Sequence, residues 1–218
     1  MLEYFGGNYS WDLAVLMALQ LGGQPSEIDE ACRPLRELAA RPDARGNPEI
    51  GRAWLENWLA LADRIAGLAA RDEAAGHRLS AAGKYRRACI YYQQADRMAP
   101  HGDPGKERAY RRMLETFRQA VVLAGIPMEW VEVPYEGTSL PALFLPAAGP
   151  GAAPCMIGFD GFDVTKEWTY LCGLGDALAA RGVSMLIVDH PGVGLALRER
   201  GLPTVVDTER PAGACLDY

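Results

Sequence analysis

The sequence predicts a protein of two parts, an all-helical domain at residues 1–126 and an incomplete α/β domain at residues 127–218. The first observation is that apolar residues recur at three- and four-residue spacing as far as residue 125. The second is that the spacing changes to two after Pro127, where short apolar runs alternate with glycine-rich turns. The third is the nearly continuous apolar run Val183–Asp189, which is typical of a strand in a parallel sheet that is covered on both faces.

Length and charge limit the classes of function. A chain of 218 residues with 49% hydrophobic content can build a sizeable core, so we expect a globular protein. Its formal net charge is -6, from 22 basic and 28 acidic residues, and the basic residues form no block. This balance argues against nucleic acid or an anionic membrane as the partner, and it favours a small-molecule substrate.

The cysteines and the absence of long apolar runs indicate the compartment. The five cysteines are widely spaced and form no CxxC pair, so neither a disulfide framework nor a zinc site is indicated. The first residues lack the basic segment of a signal peptide, and no apolar run approaches the ~20 residues that span a bilayer. We therefore expect a cytoplasmic protein.

The first two of five predicted helices are indicated by their start signals. Ser10 is the predicted N-cap of a helix that ends at the Gly22-Gly23 pair. Ser26 and Asp29 form a capping-box-like start for the second helix, which Pro34 must kink or end.

Three longer helices follow. Asn47-Pro48 supplies an N-cap and a first-turn proline for a helix that ends near Gly76. The next is expected at Ser80–Met98, and the last at Lys106–Ala124, where Gly125 ends it. No strand is predicted in this half.

The second half is predicted to contain a β-hairpin and one βαβ unit. Parallel strands joined by a right-handed crossover place their following loops at the same sheet edge, where α/β sheets bind ligands. The loops IGFDGFD and DHPGVG are therefore expected to lie side by side. The elements are expected at 130–133 and 140–145 for the hairpin, at 154–159 for a short buried strand, at 166–180 for an amphipathic helix, and at 183–189 for the second parallel strand.

The motifs GFDGFDVTKEW at 158–168 and DHPGVG at 189–194, with the helical block before them, resemble the α/β-hydrolase family with an N-terminal helical domain. Relatives in this family include 2,6-dihydroxypseudooxynicotine hydrolase, the FrsA-like esterases and fungal hydrolases that shorten polyketide pigments. The resemblance covers essentially the whole chain. Where the family's loop usually reads Gly-Gly-Leu-x-Ser-Thr-Lys-Glu-Glu, this chain has Asp160 for the first glycine and Trp168 for the last acid. In the family's Asp-Gly-Pro-Gly-x-Gly motif, His190 replaces a glycine.

The resemblance implies an oxyanion hole in the loop after the first parallel strand. Acyl transfer through a tetrahedral intermediate needs two backbone N–H donors, and one of them comes from this loop. The backbone N–H of Phe162, freed by Gly161, is the candidate. The alternative is that Gly161 only permits a tight turn and Phe162 packs beneath the cap. Asp160 and His190 are expected to border the substrate pocket.

Other candidates also have simpler interpretations. Trp11 and Tyr85 could line a cavity for an aromatic substrate between the two domains, or they could belong to the helix core. Lys166 and Glu167 could support the site, although charged residues at a helix start are ordinarily solvated surface, and this is our expectation for Lys166.

No metal or cofactor is predicted. Asp160 and Asp163 form only a weak metal signal, because one acidic pair lacks the further ligands that a cation needs. Asp163 is the predicted N-cap of the following helix.

The catalytic residues of such an enzyme are absent from the sequence. A GxSxG serine should be followed by an acid and a histidine, yet no serine has these flanking glycines, and all three histidines, His77, His101 and His190, come too early. The second half is also shorter than a usual domain of ~100 to 200 residues, and 208–218 resembles an interrupted helix. We therefore expect the amino-terminal part of a hydrolase, whose nucleophile lies beyond residue 218 on a companion chain or a missing segment.

The expected activity is serine hydrolysis of a C–C or ester bond in an aromatic or polyketide-like small molecule, without a cofactor. Acyl transfer or cyclisation in natural-product biosynthesis is an alternative on the same fold. A non-catalytic pseudo-hydrolase or a helical binding module is the competing class. A homodimer is possible.

Overall fold

The computed structural model describes residues 3–44, 46–100, 102–161 and 163–218. Its contacts divide the chain into two compact units, Met1–Ile126 and Pro127–Tyr218. The described part of the first unit is helical, and the strands lie in the second. No helix among the described residues is both long and apolar enough to cross a membrane.

The helical unit begins with helices whose starts differ from the predicted ones. The side chain of Asn8 accepts a hydrogen bond from the N–H of Trp11 and caps α1, so Ser10 lies inside the helix and is not the cap. The second helix begins at Pro25 without a side-chain cap, because proline fits the first helical position without needing a donor. The predicted break at Pro34 is confirmed by a 3₁₀ turn. These elements are α1 at Tyr9–Gln20, α2 at Pro25–Cys32, the 3₁₀ turn at Arg33–Leu35 and α3 at Arg36–Ala39.

The long helices follow their local signals closely. Asn47 caps α4 by accepting from the N–H groups of Glu49 and Ile50, as predicted. Gly125 ends α6 in the left-handed conformation, with φ of 72°, which glycine adopts without strain. Asp103 caps α6 one residue before Pro104, so this helix begins slightly earlier than predicted. The bounds are α4 at Pro48–Ala74, α5 at Arg78–Met98 and α6 at Pro104–Ala124.

Aromatic rings form the core of the helical unit. Trp54 packs between Trp11, at 4.7 Å between ring centroids, and Trp58, at 5.4 Å. Its indole N–H donates to the carbonyl oxygen of Gln94 at 2.7 Å, which ties α4 to α5. Buried aromatic rings contribute strongly to a core of this kind.

The second unit contains a four-stranded mixed sheet in the order β1-β2-β4-β3. Strands β1 and β2 form the predicted antiparallel hairpin, β2 pairs with β4 antiparallel, and β3 pairs with β4 in parallel. The parallel pair confirms the βαβ unit. The strands are β1 at Glu129–Tyr135, β2 at Thr138–Leu145, β3 at Cys155–Gly158 and β4 at Ser184–Val188.

The two parallel strands differ in burial. Every residue of β4 is buried, as expected for a central strand. Strand β3 lies at the described edge of the sheet, and Cys155 and Met156 are exposed although their side chains point to opposite faces. The prediction that this strand is buried is therefore wrong for the chain as described, because apolar composition indicates a strand without specifying which elements cover it.

The crossover between β3 and β4 consists of two short helices. The single helix predicted for 166–180 is interrupted at Gly173, which has φ of 84° and therefore ends the first helix. A short helix after β4 was not predicted. The helices of this unit are α7 at Lys166–Leu171, α8 at Leu174–Ala179, α9 at Gly194–Arg198 and α10 at Glu209–Asp217.

Candidate active site at the loops after strands β3 and β4

The loops that follow β3 and β4 meet at one edge of the sheet. The strands run in parallel with Gly158 opposite Ile187, so both chains leave the sheet in the same direction. Contact between the loops is direct, because Nε2 of His190 lies 2.8 Å from the carbonyl oxygen of Asp160. Both residues were singled out from the sequence, and the structure brings them together.

His190 has a carbonyl oxygen at each ring nitrogen. Besides the contact of Nε2 with Asp160, Nδ1 lies 3.0 Å from the carbonyl oxygen of Pro191. A neutral imidazole has one N–H and can donate to only one of them, whereas the imidazolium donates to both. The ring of Phe159 packs edge-on against the imidazole at 6.2 Å between centroids. This environment holds the ring in place between the two loops.

The side chain of Asp160 is engaged within its own loop. Its Oδ1 accepts from the N–H of Gly161 at 2.9 Å, and its Oδ2 accepts from the hydroxyl of Thr169 at 3.0 Å. The N–H of Gly161 is therefore occupied in this conformation. The predicted oxyanion donor, Phe162, lies outside the described residues.

Glycine is not sterically required at position 161. A Cβ atom built on Gly161 meets no described atom within 4 Å, and its φ is not in the left-handed range. Sterics at Gly161 therefore do not distinguish a role in the oxyanion loop from a role in a tight turn.

Lys166, Glu167 and Asp189 form a fully buried charge cluster. The ammonium of Lys166 lies 2.8 Å from Oε1 of Glu167 and 2.8 Å from Oδ2 of Asp189. The three side chains are 2%, 1% and 0% exposed, respectively. The expectation that Lys166 is solvated surface is therefore wrong, because two carboxylates compensate its burial.

The cluster fixes the charge of Lys166. Burial alone would lower the pKa of Lys166, but the negative charges of Asp189 and Glu167 outweigh it, and the pKa is raised above its ordinary value. The two carboxylates therefore favour the charged form of Lys166, which is unsuited to act as a base. The cluster contains one cation for two carboxylates, and Oε2 of Glu167 has no hydrogen-bond partner among the described residues.

The carboxylate of Asp189 accepts hydrogen bonds from α7, from α9 and from the side chain of Lys166. Its Oδ1 accepts from the backbone N–H of Lys166 at 2.9 Å, and its Oδ2 accepts from the backbone N–H of Leu195 at 2.9 Å as well as from the Lys166 ammonium. The two N–H groups belong to the first turns of α7 and α9, where backbone N–H groups have no partner within their own helix. One carboxylate thus caps two helices that start from different loops.

The glycines of the DHPGVG loop are required by these contacts. A Cβ on Gly194, whose φ is 49°, would overlap the carboxylate of Asp189. A Cβ on Gly192, with φ of 99°, would overlap the side chain of Thr204. The glycine spacing of this motif therefore reflects close approach to a buried carboxylate and to a neighbouring loop.

Asp163 does not cap the helix after the loop. The N-cap of α7 is Thr165, whose hydroxyl accepts from the N–H of Trp168 at 3.5 Å, so the predicted cap at Asp163 is wrong. The cap lies immediately before Lys166, which leaves the Lys166 N–H free to bond Asp189.

The two aromatic candidates of the helical unit are buried in its core. Trp11 packs against Phe5 and Trp54, and it also borders a groove of ≈ 710 Å³ beside the start of α4. Tyr85 donates its hydroxyl to Glu73 at 2.8 Å. Burial, followed by this hydrogen bond, raises the pKa of Tyr85 to about 12.

Ser184 is not placed to act as a nucleophile, and the described residues form no metal site. Ser184 is buried in β4 and its hydroxyl accepts from the N–H of Ala147 at 2.9 Å, which is a structural role. Among the described residues, no group of three or more histidine, cysteine or acidic side chains could hold a metal ion.

Sequence comparison gives relatives over nearly the whole chain, although no protein-family model matches. The α/β hydrolase ucsC of Acremonium sp is 32% identical over 232 residues, covering 99% of this chain and 45% of the relative. The 20-hydroxy-prefusarin hydrolase FUS2 of Gibberella moniliformis is 32% identical over 180 residues, covering 79% of this chain and 42% of the relative. The chain thus spans less than half the length of these two relatives.

Solved structures show the same fold. The 2,6-dihydroxy-pseudo-oxynicotine hydrolase superposes with a TM-score of 0.70 at 24% identity, over 92% of this chain and 52% of that one. The protein AbyA5 gives a TM-score of 0.59 at 21% identity, over 93% and 50%. The fold class is confirmed as an α/β-hydrolase core, incomplete in this chain, preceded by an all-helical domain. The resemblance to the α/β-hydrolases with an N-terminal helical domain is confirmed by both comparisons.

Proposed function

We propose that this chain is the amino-terminal part of a serine-type α/β-hydrolase that cleaves a C–C or ester bond in an aromatic or polyketide-like small molecule. The observation that carries the proposal is the 32% identity to an α/β hydrolase across 99% of the chain. The substrate class is supported by the similarity to a protein named 20-hydroxy-prefusarin hydrolase.

In the proposed reaction, the serine lies on a companion chain or on a segment beyond residue 218. As its oxygen attacks the substrate carbonyl, a general base takes the proton of the serine hydroxyl, and the carbonyl electrons move to the carbonyl oxygen, which the N–H of Phe162 stabilises. Collapse of this intermediate breaks the C–O or C–C bond, and the leaving group takes a proton from the protonated general base. Water then hydrolyses the acyl-enzyme. Asp160 and His190 border the pocket in this scheme.

The exposed edge at β3 supports the proposal that a further segment completes the sheet. Cys155 and Met156 are exposed on opposite faces of this strand. An apolar edge strand that is open on both faces is a liability unless another element covers it.

A non-catalytic role is the second candidate, and one contact favours it. The carboxylate of Asp160 occupies the N–H of Gly161, so this N–H, next to the candidate donor Phe162, is not free to bind an oxyanion. A pseudo-hydrolase would keep the loops and bind a small molecule without cleaving it.

Denaturing intact-mass analysis combined with a fluorophosphonate probe tests the proposal. We expect a companion polypeptide, or a longer form of this chain, that the probe labels at a serine. Cys155 should react quickly with iodoacetamide in the isolated 23.7 kDa chain and slowly in the complete enzyme. A 23.7 kDa chain that is alone, soluble and inert to the probe would favour the pseudo-hydrolase.

A further inference from the structure

The loop that joins β3 to α7 is held at its first residue by His190. Nε2 of the imidazole lies 2.8 Å from the carbonyl oxygen of Asp160, where the loop leaves the strand. The ring is half-buried and is supported by Phe159 and by the carbonyl oxygen of Pro191. The start of the loop is therefore fixed to the loop after β4.

The same loop is held at its other end by Asp189. Lys166, the first residue of α7, donates both its backbone N–H and its ammonium to this carboxylate, at 2.9 Å and 2.8 Å. Between the two ends, the N–H of Val164 donates to the carbonyl oxygen of Gly161 at 3.1 Å. Both ends of the loop are thus held by Asp189 and His190, the two residues that directly follow β4.

The strand terminus that holds the loop is itself well anchored. The N–H of Asp189 donates to the carbonyl oxygen of Pro141 in β2 at 2.9 Å, and its side chain is completely buried. The carbonyl oxygen of His190 accepts from the N–H of Val193 at 3.1 Å. Groups that are fixed by neighbouring packing in this way can hold a reactive loop with the precision that catalysis requires.

We propose that Asp189 and His190 are positioning residues, which act together as a clamp on the loop between β3 and α7 and so set the geometry of its backbone donors. The proposal rests on the proposed function, because it assigns the clamp to the loop that carries the candidate oxyanion donor. The clamp acts through the loop and touches no reacting atom.

Hydrogen exchange on the 218-residue chain tests the clamp without reference to activity. In His190→Ala, the amides of the loop between β3 and α7 should exchange about 5- to 10-fold faster, as expected for the loss of one hydrogen bond. His190→Gln, whose amide N–H can still donate to Asp160, should restore part of this protection. Arg210→Ala, which removes a surface ion pair with Glu136 in the same unit, is the matched control and should leave the loop unchanged.

The catalytic part is tested in the complete enzyme with the fluorophosphonate probe and with p-nitrophenyl acetate. His190→Ala should lower the rate of serine labelling and kcat by about 10- to 100-fold, because a small displacement of a donor has a large effect on rate. The fall in kcat should exceed any rise in KM, because His190 borders the pocket but acts on the reaction through the loop donors. Lys166→Met should also lower the rate of serine labelling and kcat. If Lys166→Met does not fold, His190→Ala alone tests the proposal.

The outcomes separate the two proposals. Unchanged exchange in His190→Ala overturns the clamp, whatever the activity. Faster exchange with unchanged labelling and kcat shows that the loop is tied but overturns its positioning role. If no serine is labelled in any form of the protein, the proposed function fails and the positioning role fails with it, whereas the exchange result still decides whether the tie exists.

Discussion

Lys166 is the residue whose replacement should affect stability most directly. Lys166→Met keeps a side chain of similar length but leaves the carboxylates of Asp189 and Glu167 buried without a cation. Removing one partner of a buried ion pair costs about 3–5 kcal/mol. Urea unfolding followed by circular dichroism should show a loss of this size, and a loss below about 1 kcal/mol would contradict the cluster as described.

Replacing Glu167 should preserve or raise the stability, unlike replacing Lys166. Glu167→Gln keeps an oxygen acceptor for Lys166, removes the excess negative charge and replaces the oxygen that has no partner among the described residues. A balanced Lys166–Asp189 pair then remains, so the free energy of unfolding should stay within about 1 kcal/mol or increase. The same urea experiment measures it, and a loss as large as that of Lys166→Met would show that Oε2 has a partner.

The residues of the site were only partly predictable from the sequence. Asp160 and His190 could be paired because the carboxyl ends of parallel strands meet at one edge, and the structure joins them by a hydrogen bond. Lys166 could not be assigned to the interior, because a charged residue at a helix start is exposed unless a distant residue compensates it. That residue is Asp189, which is remote in sequence and is adjacent only through the pairing of β3 with β4.

At the scale of elements, exposed glycines inside α4 and α5 offer a test of helix propensity. Gly67 and Gly83 lie on exposed faces, and a Cβ on either meets no described atom within 4 Å. Replacing each with alanine should raise the free energy of unfolding by about 0.5–1 kcal/mol, because glycine has the greater backbone entropy to lose. Thermal or urea unfolding measures the gain.

Gly23 is the matched control for these substitutions. A Cβ on Gly23 would lie 2.7 Å from the carbonyl oxygen of Ala18 and 2.9 Å from Cδ1 of Ile28. Gly23→Ala should therefore lower stability, because overpacking against backbone cannot relax freely. Equal effects at the three positions would contradict the helix packing.

Local sequence signals predicted where elements begin and end better than they predicted which elements pack against each other. The start of α4 at Asn47-Pro48 and the end of α6 at Gly125 were correct, because caps and left-handed glycines act within one turn of chain. The exposure of β3 was not predictable, since Cys155 and Met156 indicate an apolar strand but not whether a further element covers it. The interruption at Gly173 could have been suspected from the glycine within the helical pattern.

At the scale of the whole molecule, the stability of the helical unit should fall at alkaline pH. Burial, followed by hydrogen bonds to Glu73 and Asp63, raises the pKa values of Tyr85 and Tyr92 to about 12. An unfolded tyrosine titrates near pH 10. The folded state therefore binds these protons more tightly, so this contribution to stability is complete below about pH 10 and is lost as pH rises towards 12.

Tyrosine absorbance at 295 nm and urea unfolding between pH 8 and pH 12 measure this effect together. The double variant Tyr85→Phe and Tyr92→Phe should lose part of the pH dependence above pH 10. If the double variant and the original chain respond identically, these two hydroxyls are not its source.

The placement of β4 between β2 and β3 has a consequence for the order of folding. The hairpin β1–β2 can form as soon as it is synthesised, but Ala142 finds its partner Val188 only after the whole crossover has been made. Contacts between residues far apart in sequence close large loops and form slowly, whereas helix pairs such as α4 and α5 form from neighbouring segments. Refolding should therefore be biphasic, with helical signal recovered first and the sheet completed last. On the ribosome, the edge of the hairpin that later pairs with β4 stays unpaired until Val188 has emerged.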